Sequence, residues 1–221
     1  MIYRNRQQAG KELAKALIRY KGEAAVVLAL PRGGIVLGAE VAKSLRVPLG
    51  LVLVRKIGHP SYAEYAVGAI AEDETPIYNQ SEIANIDKTW LKHAETAARE
   101  LIVRRREQYY GKDFVAPSLL NKTAIIVDDG IATGLTMQAA VKAVRNKHSK
   151  QVIVAVPVAS QESVDALKDS VDQLIVLDNP ENFLGAVGAH YQEFDQVNDE
   201  VVGRLLREVH DDMLQNTATH R

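Results

Sequence analysis

Short apolar runs alternate along this chain with longer segments in which apolar residues recur at helical spacing. Runs rich in Val, Ile and Leu are typical of buried β-strands. Residues 66–71 and 76–79 also have the pattern of extended segments. The predicted buried strands are residues 24–30, 49–54, 123–127, 151–158 and 173–177.

Helical spacing predicts a helix after most of these runs. The longest covers residues 87–110, and its apolar residues Leu91, Ala94, Ala98 and Leu101 share one face. The other predicted helices are residues 34–45, a segment with Met137, Ala140, Val141 and Val144 in phase, residues 162–168, and a last helix from residue 199.

Alternation of apolar strands and amphipathic helices predicts the α/β fold class. We expect a mainly parallel, twisted sheet that is flanked by helices on both faces. In such sheets ligands bind beyond the carboxyl ends of the strands, so the residues that follow each strand are the first candidates for a site.

Three predicted strands are followed by polar or glycine-rich sequence. The first is followed by "PRGG" (31–34), the second by "RK" (55–56), and the central one by "DDGIATGLT" (128–136). Two basic clusters, an acidic pair and a Gly/Thr loop at one edge of a sheet are what a phosphorylated sugar with a second polyphosphate would need.

The Gly/Thr loop opens a predicted helix, and a helix N-terminus offers unpaired N–H groups and a partial positive charge to an anion. Gly130 and Gly134 permit a tight turn, while Thr133 and Thr136 can donate hydroxyls to a phosphate or cap the helix. The carboxylates of Asp128 and Asp129 suit vicinal sugar hydroxyls, with magnesium nearby to offset their charge.

Composition narrows the class of protein. The 221 residues, 47% of them hydrophobic, can form one α/β domain. With 27 basic and 28 acidic residues the net charge is -1, and no segment is basic enough to indicate nucleic-acid binding. The chain has no cysteine, which excludes thiol chemistry and zinc–thiolate sites. No apolar stretch indicates a signal peptide or a membrane span, so we expect a cytoplasmic protein without a membrane partner.

The sequence "IIVDDGIATGLT" resembles the signature of the type I phosphoribosyltransferases: four hydrophobic residues, two acidic residues and a loop that ends in Thr-Gly-x-Thr. "LALPRGG" resembles the pyrophosphate loop of that family, and "VRK" its second pyrophosphate contact. The resemblance extends over most of residues 24–178 and is closest to uncharacterised predicted phosphoribosyltransferases. It implies one domain over residues 1–221, with a core of about 24–178 and an inserted helix of about 87–110.

The resemblance implies that the chain binds phosphoribosyl pyrophosphate (PRPP) with Mg²⁺. Asp128 and Asp129 would bind the ribose hydroxyls and, largely through PRPP and water, the metal. The 5-phosphate would bind to the loop formed by Gly130, Ile131, Ala132, Thr133, Gly134, Leu135 and Thr136. Pyrophosphate would bind to the backbone N–H groups of Arg32, Gly33 and Gly34 and to Arg55 and Lys56. The resemblance also implies a cis peptide between Pro31 and Arg32.

A nitrogenous acceptor would then displace pyrophosphate beneath a mobile lid, for which residues 57–65 are the candidate. Glu64 in this segment would be the acid or base, although an exposed glutamate with no such role is the simpler alternative. A hood built from residues 1–20 and 179–201 would select the acceptor. Phe183 and Tyr191 could stack on it, or they could be core residues that fix the tail.

Ala132 departs from part of the family, because hypoxanthine-guanine enzymes have an aspartate general base at this position. A 6-oxopurine acceptor handled by that mechanism is therefore in doubt. Family members are usually dimers or larger, so the resemblance also implies a homodimer.

Simpler interpretations exist for each motif. The acidic pair could only open a turn, "PRGG" could be ordinary turn sequence, and Arg55 and Lys56 could be solvated charges. A second hypothesis for the whole chain is a PRPP-binding regulator without transferase activity. Such regulators can lose the residues that bind pyrophosphate. The predicted pyrophosphate contacts Arg32, Gly33, Gly34, Arg55 and Lys56 are all present here, so the sequence favours the enzyme.

Overall fold

The computed structural model describes residues 2–72, 74–111 and 114–219, with backbone only at residues 63, 64 and 216–219. The helices are α1 Arg6–Ala16, α2 Gly34–Leu45, α3 Gln80–Ile83, α4 Lys88–Tyr110, α5 Leu135–Arg145, α6 Gln161–Leu167 and α7 Asp199–Thr219. The strands are β1 Ala25–Ala29, β2 Leu49–Leu51, β3 Val54–His59, β4 Tyr62–Ala71, β5 Ile77–Tyr78, β6 Thr123–Val127, β7 Gln151–Val158 and β8 Gln173–Asp178.

Five strands form a parallel sheet in the order β2-β1-β6-β7-β8. Successive residues of each strand point to opposite faces, and both faces are buried. One face packs against α1, α2 and α7, and the other against α5 and α6, while α4 packs against α7, β3 and β4. This confirms the predicted α/β class, and it explains why the strands read as continuous apolar runs rather than as alternating ones.

The predicted strand over residues 49–54 is wrong as a single element. β2 ends at Leu51, and the chain then leaves the parallel sheet. β3 begins at Val54 and pairs antiparallel with β4, which pairs in turn with β5 in a separate three-stranded sheet. An unbroken apolar run cannot show this change of sheet, because every residue from 49 to 53 is buried in either arrangement.

The segment predicted as a lid, residues 57–65, is the end of this antiparallel hairpin. Residues 57–59 belong to β3, residues 62–65 belong to β4, and residues 60 and 61 form the turn between them. The hairpin packs against α4. The predicted long helix, residues 87–110, agrees with the observed bounds of α4 to within one residue. A lid function for the hairpin stays a prediction.

The first residues of the chain pair with the segment that precedes α7. The Tyr3 N–H donates to the His190 carbonyl at 2.9 Å, and the Gln192 N–H donates to the Tyr3 carbonyl at 2.8 Å. The Tyr3 ring is buried, and its hydroxyl donates to the Pro157 carbonyl of β7 at 3.0 Å. Two segments that are far apart in sequence are thereby joined above the parallel sheet.

None of the helices in the described ranges is both long and apolar enough to cross a lipid bilayer.

The contact of Tyr3 with β7 gives a stability prediction. Tyr3→Phe keeps the buried ring and removes its hydrogen bond to Pro157, so we expect a loss of about 1 kcal/mol in unfolding free energy. For a chain of this size that corresponds to a fall of roughly 2–4 °C in the melting temperature, measured by calorimetry. The matched control Tyr62→Phe, at an exposed position, should leave the melting temperature unchanged. Equal melting temperatures for Tyr3→Phe and the unsubstituted protein would contradict this role.

Candidate functional site

The loops that follow β1 and β6 lie side by side because these strands are neighbours in the parallel sheet. Ala29 and Val127, the last residues of the two strands, are paired in register. The Leu30 N–H donates to the Val127 carbonyl at 3.0 Å and continues the pairing by one residue. Residues 31–34 and 128–136 therefore start from the same point at the carboxyl edge of the sheet.

The two glycines after β1 pack directly on the acidic pair after β6. A Cβ atom built on Gly33 would overlap the Asp129 Oδ2 atom. A Cβ atom built on Gly34 would lie 2.9 Å from the Val127 carbonyl oxygen and 3.0 Å from Asp128 Oδ1. Neither position has room for a side chain. Glycine is therefore required at both positions because the loop after β6 lies so close to them, and not only because the chain turns there.

The backbone of the first loop supports part of its predicted role. The Pro31–Arg32 peptide is cis, as the resemblance implied. Within the described residues the N–H groups of Arg32 and Gly33 make no hydrogen bond, whereas the Gly34 N–H donates to the Leu30 carbonyl at 3.1 Å. The Gly34 N–H is thus used within the loop, and its predicted contact with pyrophosphate stays a prediction. The Arg32 side chain is near α7, with Nη1 at 3.9 Å from Asp199 Oδ1.

Both carboxyl groups of the acidic pair have pKa values above the ordinary range. Burial raises the pKa of Asp128 well above its usual value, the neighbouring charge of Asp129 raises it further, and Arg6 and Lys56 oppose the rise. Burial also raises the pKa of Asp129, and the hydrogen bond and charge of Arg6 oppose it. The pair thus retains protons more readily than an exposed carboxyl, and a cation or hydroxyl donor bound there would favour its ionised form.

Arg6 is a site residue that the sequence did not reveal. Its Nε donates to Asp129 Oδ2 at 2.8 Å, and the two side chains are only 12% and 15% exposed. Its Nη1 donates to the Asp195 carbonyl at 2.6 Å, and its guanidinium lies 3.7 Å from the centre of the Phe194 ring. Arg6 belongs to the first turn of α1 and is brought to the site by the pairing of Tyr3, a long-range contact with no local sequence signal.

The two candidate stacking residues are placed differently from each other. Tyr191 is buried, and its hydroxyl donates to the Asp129 carbonyl at 2.6 Å. This contact favours the alternative that Tyr191 is a core residue, with a role in holding the acidic pair. The Phe183 ring stacks on His190 with centroids 5.0 Å apart and is only partly buried, so its stacking on an acceptor stays a prediction.

The Gly/Thr loop turns sharply into α5. Gly134 has a φ of 78°, in the left-handed region that favours glycine, and is the residue from which α5 begins. Ile131 is anchored to the end of β7 through its N–H and its carbonyl. The Ala132 carbonyl accepts hydrogen bonds from the hydroxyls of Ser160 and Ser163 at 2.7 and 2.9 Å. These hydrogen bonds hold the loop against the end of β7 and the start of α6.

One hydroxyl of this loop has no partner. The Thr136 Oγ1 atom is buried, and no hydrogen bond to it is found in the described part of the chain. A buried hydroxyl without a partner is costly, so such groups in a preformed loop indicate a missing ligand or water. Thr136 is in the first turn of α5, where the unpaired N–H groups also favour an anion.

The remaining predicted residues are on the antiparallel hairpin. Arg55 and Lys56 are exposed on β3, opposite Ile70 and Ala69 of β4. Lys56 is close enough to Asp128 to oppose the rise in its pKa. The Glu64 side chain lies outside the described residues, so its assignment as acid or base stays a prediction.

The described ranges contain no group of three or more His, Cys, Asp or Glu side chains that could hold a metal ion. Magnesium is usually bound by one or two carboxylates together with substrate phosphates and water. Asp128 and Asp129 fit that donor set.

Two glycine-rich loops pack around a pair of carboxylates at the carboxyl edge of the parallel sheet, which is the edge where α/β proteins of this class bind their ligands. The family model "Phosphoribosyl transferase domain" matches residues 1–193. The chain belongs to this family.

The names of similar proteins refer to the same family. "Putative phosphoribosyl transferase Rv0571c" and "Putative phosphoribosyl transferase MT0597", from two strains of Mycobacterium tuberculosis, are each 36% identical over 220 residues. The match covers 98% of this chain and 49% of either relative, so the chain spans about half their length. The crystal structure of TT1426 from Thermus thermophilus is 39% identical with a TM-score of 0.78, and the match covers 94% of this chain and 99% of that one.

The raised pKa values give a prediction about stability and pH. An acid whose pKa is higher in the folded state stabilises the fold fully below its unfolded pKa, and that stabilisation is lost as the pH rises through the folded value. The amide of Asp128→Asn does not ionise, so the variant does not lose this stability as the pH rises. We therefore expect the melting temperature of the variant to rise relative to the unsubstituted protein as the pH is raised.

The control for this measurement is Asp165→Asn. Hydrogen bonds from Gln161 and Lys168 lower the pKa of the exposed Asp165 carboxyl, so its contribution has the opposite sign and is present above the unfolded pKa. Any pH-dependent difference for Asp165→Asn should therefore run in the opposite direction. A constant difference between Asp128→Asn and the unsubstituted protein across the pH series would show that Asp128 is not the buried acid described here.

Proposed function

We propose that this chain transfers the 5-phosphoribosyl group from PRPP, bound with Mg²⁺, to a nitrogenous acceptor of the nucleobase class, with release of pyrophosphate. The observation that carries the proposal is the direct packing of Gly33 and Gly34 on Asp129 and Asp128. This contact brings a backbone suited to pyrophosphate directly beside carboxylates suited to ribose hydroxyls.

The 5-phosphate end of the donor is assigned to the start of α5. Gly134 begins this helix, and the Thr136 hydroxyl is buried there without a partner in the described chain. A phosphate would accept from that hydroxyl and from the free N–H groups of the first turn. Asp128 and Asp129, only a few residues before this turn, would accept hydrogen bonds from the ribose hydroxyls.

The pyrophosphate end is assigned to the cis loop after β1 and to the hairpin. The N–H groups of Arg32 and Gly33 have no partner in the described chain and are available to phosphate oxygens. Lys56 and Arg55 add positive charge from β3. Magnesium, when bound, would neutralise charge on the phosphates and be supported by the acidic pair.

In the proposed reaction the bond from the anomeric carbon to the pyrophosphate oxygen breaks, and a bond from that carbon to the acceptor nitrogen forms on the opposite side. Pyrophosphate leaves with the electron pair of the broken bond, and the acceptor loses a proton to a base for which Glu64 stays the candidate. The ionised acidic pair would lie close to the ring as it gains positive charge, and the cations would stabilise the leaving group.

The acceptor is the least constrained part of the proposal. Ala132 occupies the position where hypoxanthine-guanine enzymes have an aspartate, and its carbonyl is used by Ser160 and Ser163. The side chain at this position therefore offers no general base. The homodimer and the cytoplasmic location stay predictions that rest on the resemblance.

A test of the proposed function is pyrophosphate release from PRPP and magnesium with a panel of purines, pyrimidines and simple amines. We expect at least one acceptor to support release. Replacing Asp128 and Asp129 together by Asn should weaken PRPP binding by at least about 100-fold, since two charged hydrogen-bond acceptors are lost. Asp165→Asn, an exposed acid on α6, is the matched control and should bind PRPP normally.

The regulatory hypothesis predicts another result. Tight PRPP binding without pyrophosphate release for any acceptor would favour a PRPP-binding regulator. Unchanged PRPP binding in the double Asn variant would contradict the assignment of the acidic pair.

The phosphate assignment predicts that Thr136→Val, which replaces the hydroxyl by a methyl group of similar size, weakens PRPP binding about tenfold. The free protein should be at least as stable as before, because the hydroxyl has no partner in the described structure. Calorimetric titration with PRPP and a melting curve measure both effects. Thr96→Val on the exposed side of α4, where the hydroxyl contacts only the Lys92 carbonyl, is the control. A Thr136→Val protein that binds PRPP normally would refute the 5-phosphate site.

A further inference from the structure

A second cavity lies outside the loops assigned to ribose and its 5-phosphate. It has a volume of about 660 Å³ and is enclosed by the β3–β4 hairpin on one side and by α4 on the other. This volume is within the range of small-molecule sites, which is roughly 300–1,000 Å³. The cavity shares Arg55 and Lys56 with the proposed pyrophosphate contacts, and the rest of its lining has no role in the proposed reaction.

The α4 side of the cavity is apolar. It is formed by the Trp90 ring, by a row of alanines and by Leu101. The sequence assigned Ala94 and Leu101 to the buried face of this helix, but both are only partly buried, because they face the cavity. The small alanine side chains leave the volume open, and the indole provides an aromatic surface at one end.

Positive charge is concentrated on the same cavity. Arg55 and Lys56 come from β3 and Arg104 from α4, and His59 lies near the hairpin turn. None of the thirteen lining residues found among the described side chains is acidic, although acidic and basic residues are nearly equal in number in the whole chain. Across the described ranges, the three cations make no ion pair within 4.0 Å.

Arg55, Lys56 and Arg104 line the same cavity as the apolar α4 floor, and none of them has an ion pair among the described residues. Such a lining would favour a ligand that has both an anionic group and a flat apolar group. We propose that this cavity binds an aromatic small molecule with at least two negative charges, of which a nucleoside diphosphate is the test case. The ring lies on the alanine floor beside Trp90, and the anionic group contacts Arg104, Arg55 and Lys56.

The inference rests on the proposed function in one respect. If Arg55 and Lys56 also bind the pyrophosphate of PRPP, the two ligands compete for these cations. Occupation of the cavity then weakens PRPP binding, and PRPP weakens binding to the cavity by the same factor. The cavity is in this way a site of inhibition next to the reaction centre.

Trp90 makes the site directly observable, because it is the single tryptophan of the chain. We expect ADP to change the tryptophan emission with a saturating dependence on its concentration. Adenosine, which has the ring without the charge, should bind at least about tenfold more weakly. Inorganic pyrophosphate, which has the charge without the ring, should leave the emission unchanged and reduce the response to ADP.

Two variants test the position of the ligand. Arg104→Gln removes a cation that has no part in the proposed reaction and should weaken ADP binding at least about tenfold. Ala97→Phe fills the floor from an exposed position of α4 and should abolish the ADP response without a change of charge. The matched control Arg204→Gln, on the exposed side of α7 where Arg204 pairs with Glu208, should bind ADP normally.

The outcomes separate this inference from the proposed function. Loss of ADP binding in Arg104→Gln, with pyrophosphate release from PRPP retained, would support the cavity. No emission change with ADP up to about 1 mM, or a response that survives both cavity variants, would overturn it whether or not PRPP is used. A tryptophan emission spectrum that changes its shape with protein concentration in the absence of ADP would show that a second copy of the chain occupies the cavity. This result would also overturn the inference. If PRPP does not weaken ADP binding, the claim that both ligands bind to Arg55 and Lys56 is wrong.

Discussion

Two adjacent, partly buried carboxylates lie at the end of β6, held against a backbone that has no side chains at Gly33 and Gly34. Because the packing leaves no room for a Cβ atom at either glycine, it requires the close approach of the loops after β1 and β6. It also removes water from Asp128 and Asp129, which raises their pKa values. The geometry and the electrostatics of the site therefore have one common cause.

Residues far away in sequence complete that arrangement. Arg6 pairs with Asp129, and the Tyr191 hydroxyl donates to the Asp129 carbonyl. Both depend on the pairing of the first residues of the chain with residues 190–193. The segments expected to form a hood thus also hold the acidic pair in place. A ribose hydroxyl that binds Asp129 would share this carboxylate with Arg6, which links donor binding to the position of α1.

The sequence predicted those features that are decided within a few residues. The apolar runs of β1, β6, β7 and β8 could be recognised because parallel strands are largely apolar, and the acidic pair with its Gly/Thr loop has a characteristic order of residues. The division between β2 and β3 and the role of Arg6 could not be predicted, since both depend on contacts between distant segments. Ala94 and Leu101 are partly exposed because they line the cavity between α4 and the hairpin. The helical spacing of apolar residues could not predict that cavity, since it depends on a distant segment.

The central claim is that the loops after β1 and β6 form one binding site for a phosphorylated ribose. A crystal structure of the protein with ribose 5-phosphate and magnesium tests it most directly. We expect the phosphate within hydrogen-bond distance of Thr136 Oγ1 and of the first N–H groups of α5, and the ribose hydroxyls on Asp128 and Asp129. Ribose 5-phosphate bound elsewhere, with the Thr136 hydroxyl and both carboxylates making no contact to it, would contradict the claim.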